Sequence, residues 1–163
     1  MHAKDAIRTA LDQAKTTTEM ILNGLSDAEM LTRAVPGMNH PAWQLGHLVS
    51  SEQWMVHQIK PNSMPPLPAG FNDRYNSKMA SSDDQTGWLG NAELLKLAAE
   101  QRAGTLKVLD QLTDAELELP GPEMLRMIAP TNAALLLLVA SHWSNHSGQW
   151  TAVRRLLGKP IAF

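Results

Sequence analysis

Four stretches of this chain return an apolar residue every three or four positions, and none alternates apolar and polar residues over the length of a strand. In the first, Ile7, Leu11, Ala14, Thr18, Ile21 and Leu25 share one helical face. The second runs from about Pro41 to Ile59, with Pro41 in a first-turn position and His40 or Asn39 as N-cap. The third runs from about Asn91 to Leu112, placing Leu94, Ala98, Thr105, Val108 and Leu112 on one side. Gly104 inside it costs about 1 kcal/mol against alanine, which suggests a close helix contact there. The fourth runs from about Asn132 to Leu157 and stops at Gly158 with Pro160 just beyond. Arg154, Arg155 and Lys159 lie at its C-terminal end, where cations suit the helix dipole. A 163-residue chain with this pattern predicts one all-α domain over residues 1–163, a four-helix bundle.

The connections are unequal. Some thirty residues separate the second and third helices, with prolines at positions 61, 65, 66 and 68. In a four-helix bundle a connection of that length serves as a crossover that travels the bundle to join parallel neighbours. The halves also echo each other. Leu25–Glu29 (LSDAE) and Leu112–Glu116 (LTDAE) both read as capping boxes, and Leu48–Trp54 (LVSSEQW) resembles Leu138–Ser144 (LVASHWS). Two similar helical hairpins joined by the crossover are expected, with Glu52 as the counterpart of His142.

Composition narrows the chemistry. The net charge is −2 and the basic residues are scattered, which argues against a nucleic-acid or anionic-membrane partner. The longest apolar run, Ala133 to Ala140, is too short to span a bilayer, and the N-terminal stretch lacks the apolar core of a signal peptide. A cytoplasmic location is the expectation. The chain has no cysteine, so disulfides, thiolate ligands and a cysteine nucleophile are excluded, and any metal site must use His, Asp or Glu.

Histidines stand where such a site would be. His142 and His146 are one helical turn apart, in a stripe made by Leu135, Leu138, Val139, His142, His146, Gln149, Trp150, Val153 and Leu156. A buried imidazole needs a partner for each nitrogen, and two at i and i+4 can converge on one ion. The same spacing fits core histidines that bond each other or water. His47, on the second helix beside Gly46, is the candidate third ligand, and Gly46 leaves room for a ligand or another backbone. His2, His40 and His57 read as surface or capping residues. Helical spacing makes Ser50, Ser51 and Gln149 candidates to hold a ligand's free N–H or orient a water. Trp43, Trp54 and Trp150 are candidate pocket walls, or ordinary core. Glu52 lies about 140° round the helix from His47 and is left outside the site.

The motifs W-x-L-G-H-L, at Trp43 to Leu48, and H-x-x-x-H-x-G-Q-x-x-x-x-R-R-x-L-G, at His142 to Gly158, resemble the DinB/YfiT-like superfamily over nearly the whole chain. The resemblance implies a four-helix bundle with a crossover, holding a divalent ion, zinc or nickel, on His47, His142 and His146. It implies homodimers, and activities that include thiol-dependent transferases acting with low-molecular-weight thiols on small-molecule substrates. Without cysteine in the chain, such a thiol would arrive as a cosubstrate, and a metal-dependent hydrolase suits the same ligand set. The Pro-rich crossover is the expected pocket wall, and metal is expected to leave at roughly pH 6 and below as the ligands protonate. Two further readings stay open: a metal-binding bundle without turnover, in a stress-response, storage or sensing role, and a purely structural bundle.

Overall fold

The periodic stretches become the long helices of a computed structural model that describes residues 2–82, 84 and 86–160. They are α1 (Ala3–Leu22), α2 (Pro41–Ile59), α4 (Asn91–Gln111) and α6 (Asn132–Leu156); two single turns, α3 (Phe71–Arg74) and α5 (Asp114–Leu117), lie in the connections. Among the described residues there is no strand, only an isolated bridge between Pro120 and Thr131. No helix is long and apolar enough to cross a membrane among the described residues.

The boundaries follow from local chemistry. His40 is the N-cap of α2, its Nδ1 accepting from the Trp43 N–H at 3.1 Å, and Pro41 has no N–H to leave unpaired. Thr131 caps α6 in the same way through Ala134 N–H, and Gly158, at φ +67°, ends it. Both capping boxes form, Ser26 with Glu29 and Thr113 with Glu116; the first opens a 3₁₀ turn (Glu29–Leu31) and the second opens α5.

Paired side chains fix the helix directions. Arg8 meets Asp110 while Arg102 donates to the Leu11 carbonyl, so α1 and α4 are antiparallel. Thr18 meets Ser147 and Arg154 reaches the Ile21 and Asn23 carbonyls, so α1 and α6 are parallel. Glu52 pairs with Arg102 and Lys60 with Gln111, which makes α2 and α4 parallel; Gln44 with Gln149 makes α2 and α6 antiparallel in register with the His cluster. The order round the bundle is α1, α6, α2, α4. The two members of each expected hairpin, α1 with α2 and α4 with α6, therefore sit on diagonals, and the expected side-by-side hairpins do not form. Exchanging α1 with α4 and α2 with α6 nevertheless reproduces the ring, so the echo between the halves has a structural counterpart.

The crossover is not structureless. Its Pro65 carbonyl accepts from Gln53 of α2 at 2.7 Å and from Gln101 of α4 at 3.1 Å, which straps it across the seam of the two parallel helices. Gly104 serves this strap, not a helix: a Cβ there would stand 2.7 Å from Pro65 Cδ. Phe71 and Tyr75 bury themselves against α2. Tyr75 occupies the space beside Gly46, where a Cβ would lie 2.0 Å from its Cδ1. Gly46→Ala is expected to lower stability by about 1–3 kcal/mol despite alanine's better helix propensity, because the ring has no free volume to move into. Urea unfolding measures this; an unchanged midpoint would contradict the packing described.

Among the described residues the core holds one ion pair. Glu52 is fully buried on the face opposite the histidines, bonded at 2.8 and 3.0 Å to Arg102 and at 2.6 Å by the Thr105 hydroxyl. The carboxylate is thus matched by charged and neutral donors, which burial requires.

Candidate metal centre

His47 comes from α2, and His142 and His146 from successive turns of α6, where the two antiparallel helices meet. Ring centroids are 5.2 Å apart for His47 and His142, 5.8 Å for His47 and His146, and 5.1 Å for His142 and His146. One nitrogen from each lies within 4.8 Å of the other two, a grouping of a kind that could hold a metal ion. Three atoms no farther apart than 4.8 Å have a common centre about 2.8 Å away at most, against about 2.0–2.1 Å for a His–metal bond. Small rotamer adjustments close that gap. The donor set fits in a second respect: His146 Nδ1 is buried with no hydrogen-bond partner, a cost that a ligand role for the ring would help explain.

All three rings are half-buried, with His142 and His146 on the flank of the α6 stripe and not at its centre. Burial lowers the His47 pKa, and it pushes His142 and His146 down to about 4, with further lowering from the neighbouring imidazoles. Neutral rings with free lone pairs are what a metal ion requires. The sign for stability follows. The unfolded histidines protonate near pH 6.5 while the folded ones resist down to about 4, so stability is fully present above pH 6.5 and falls as pH drops towards 4. His40, also buried and lowered to about 4, adds to the same slope. Chemical unfolding of metal-free protein at intervals from pH 7 to 4 is expected to show this decline; flat stability across the window would contradict it.

The other candidates divide. Trp43 is buried and stacked on His47, centroids 4.8 Å apart and planes 5° from parallel, with its indole N–H donating to the Asn76 carbonyl at 3.0 Å. It fixes the His47 ring. Ser51 approaches both His47 nitrogens at 3.5 Å, and it is the one serine that faces the cluster. Ser50 is turned away and donates to Asn72 at 2.7 Å. Gln149, exposed, accepts from Gln44 at 2.8 Å, so it tethers α6 to α2 without touching a histidine ring nitrogen. Trp150 is fully buried core, while Trp54, 40 % exposed, stands at a cavity mouth. Among the set-aside histidines, His57 accepts from Asn62 N–H at the end of α2, and His2 precedes α1. His40 caps α2 as expected but is buried, not superficial.

A cavity of about 280 Å³ opens beside His142. Its far wall is Leu125 and Ile128, from the connection between α5 and α6. The crossover does not line it: the strap is engaged on the α2–α4 seam, one face away. The sequence offered no signal for this wall except the apolar residues of Met124–Ile128 in what is otherwise a polar connection.

Comparison with curated proteins gives no match. A solved structure described as the conserved protein of a locus from Enterococcus faecalis is similar in fold, with a TM-score of 0.72 at 20 % identity, covering 98 % of this chain and 99 % of that one. The family profile of the DinB superfamily matches residues 10–150, a span that contains all three clustered histidines. On that match, over far more than half its length, the chain belongs to the DinB superfamily.

Proposed function

We propose that the protein is a divalent-metal-dependent enzyme of the DinB-like type, which joins a low-molecular-weight thiol to a small electrophile. The observation that carries this is the convergence of three half-buried imidazoles, one of which, His142, lines an open cavity. His47, His142 and His146 would hold the ion, and imidazole ligands suit zinc or nickel. Three protein ligands leave a coordination position open, the arrangement of catalytic sites and not of closed structural ones. When bound, the ion supplies a Lewis acid that brings the pKa of a thiol or water towards neutrality. The chain contributes the positioning: Trp43 stacks on the His47 ring, and the mostly apolar cavity beside His142 receives the electrophile. With no cysteine in the sequence, the sulfur nucleophile comes from a cosubstrate. Family resemblance supports a homodimer as the working unit.

Zinc- or nickel-loaded protein is screened with several low-molecular-weight thiols against monochlorobimane and a small epoxide. Conjugation abolished by chelation and restored by the metal is the expected result. Stoichiometric metal with no turnover across the panel would favour the non-catalytic binding role instead. Burial also revises the pH of metal release. With free-ligand pKa values of about 4 for His142 and His146, proton competition begins lower than the sequence suggested. The ion is expected to stay at pH 6 and leave as pH approaches 4, followed by metal analysis after desalting; release already complete at pH 6 would contradict this.

A further inference from the structure

The cavity beside His142 has a composition that selects its occupant. Trp54 and Met55 of α2, Leu138 of α6, and Leu125 and Ile128 of the α5–α6 connection form its walls, and Ser51, Asn145 and His142 are the polar residues. Among the described residues, no charged side chain lines it.

The connection that supplies the far wall is built to hold its shape. The Pro120–Thr131 bridge closes its base, with Gly121 N–H donating to the Pro130 carbonyl at 3.0 Å and Asn132 N–H to the Leu119 carbonyl at 2.9 Å. Inside that base, the N–H groups of Ile128 and Ala129 both donate to the Leu125 carbonyl, and Ala129 is fully buried as an anchor. Gly121 is required here, since a Cβ would stand 2.2 Å from the Ala129 carbonyl oxygen. A loop of this length with pinned ends is an Ω-type element, a kind of surface segment that commonly carries binding function. Yet this ordered loop leaves apolar side chains in water: Met124 is 74 % exposed, Met127 96 % and Ile128 61 %, with Trp54 at 40 % across the mouth. Of these, Ile128 and Trp54 line the cavity itself, and exposed apolar groups held at the mouth of a concave site mark a place where a ligand completes the burial.

We propose that this cavity is an apolar subsite for the uncharged, ring-sized part of the electrophilic substrate, with the loop 121–130 as its specificity wall. The inference rests on the histidine cluster being the reacting end of the site, since His142 is shared by both. A volume of about 280 Å³ lies at the small end of ligand pockets and suits one or two rings. An anionic group has no cation to meet on these walls and is rejected by desolvation.

The test uses two probes. In metal-free protein, 2-naphthol is titrated while the methyl signals of Leu125, Ile128 and Leu138 are followed by NMR, with 2-naphthalenesulfonate as the anionic control. Naphthol is expected to shift these signals with an affinity at least about tenfold above the sulfonate's. Ile128→Asp, at an exposed position that leaves folding intact, and Trp54→Ala are each expected to weaken naphthol by about fivefold or more. In cobalt-loaded protein, benzohydroxamate is expected to bind about tenfold more tightly than acetohydroxamate, read from the cobalt absorption bands. Naphthol binding elsewhere, a sulfonate of equal affinity, or no gain from the phenyl group would each overturn the subsite. Failure of cobalt to bind at all would instead sink the metal reading, and the naphthol titration alone would then decide the subsite.

Discussion

His142→Ala is expected to abolish stoichiometric metal binding, lowering affinity by well over 100-fold, since loss of a mere supporting contact to a ligand already costs about 10–100-fold. The ring lies closest to both neighbours, so its removal leaves His47 and His146 as a two-nitrogen pair 5.8 Å apart with the bridging ligand gone. The variant is also expected to fold. His142 is half-buried on an α6 turn, alanine is the best helix former, and the lost imidazole was desolvated. A crossing of stabilities follows. Without metal the variant should be at least as stable as the wild type; with metal in excess the wild type alone gains, by the mass-action term for a ligand that binds only the folded state. Metal analysis and thermal unfolding with and without chelator check both halves. Equal metal content in variant and wild type would remove the three-histidine site.

Glu52→Ala is expected to cost about 3–5 kcal/mol, among the largest effects available to one substitution in this chain. It strips the carboxylate from an Arg102 side chain that is only 4 % exposed, and leaves the Thr105 hydroxyl with only its longer bond, 3.2 Å to the Gln101 carbonyl. The remaining guanidinium contacts, to the Leu11 carbonyl and over the Trp143 ring at 5.4 Å, do not neutralise a buried charge. Against a total stability of about 5–15 kcal/mol, the loss places the variant near the edge of unfolding. The double variant Glu52→Leu, Arg102→Met removes both charges and is expected to recover most of the loss, because an apolar pair of similar volume needs no compensation. Urea unfolding of Glu52→Leu, Arg102→Met and the double gives the coupling; a single variant as stable as the wild type would contradict a charge that depends on its partner.

The two experiments probe different helices, His142 on α6 and Glu52 on α2, and the sequence was readable to different depths at each. Helix bounds were legible because the stop signals are local: Pro41 with its His40 cap, Gly158, and the two capping boxes act through atoms a few residues apart. The separation of Glu52 from His47 was legible too, since it follows from the helical repeat alone. The meeting of His47 with the α6 pair rested on motif resemblance; periodicity gives which face is buried but not which neighbour it faces. Ring order is a tertiary fact, and the expected hairpins missed it for that reason. Ser50 and Gln149 went astray through the same gap. Their spacing to the histidines was right, but nearer partners, Asn72 in the crossover and Gln44 on α2, engaged them. The α5–α6 wall was invisible, because a pinned loop depends on pairings such as Gly121 with Pro130 that carry no periodic signature.

The parallel placement of α1 and α6 bears on how the protein is made. Arg154, buried, donates to the Ile21 and Asn23 carbonyls, and Lys159 reaches that of Gly24, so the open end of the first helix is closed by residues far downstream. The Arg154–Ile21 link spans 133 residues. At a synthesis rate of about 5–20 residues per second, α1 waits some 7–27 s with its last carbonyls open to water and the flank that α6 covers unpartnered. The nascent chain must keep that helix soluble until α6 arrives to seat beside it.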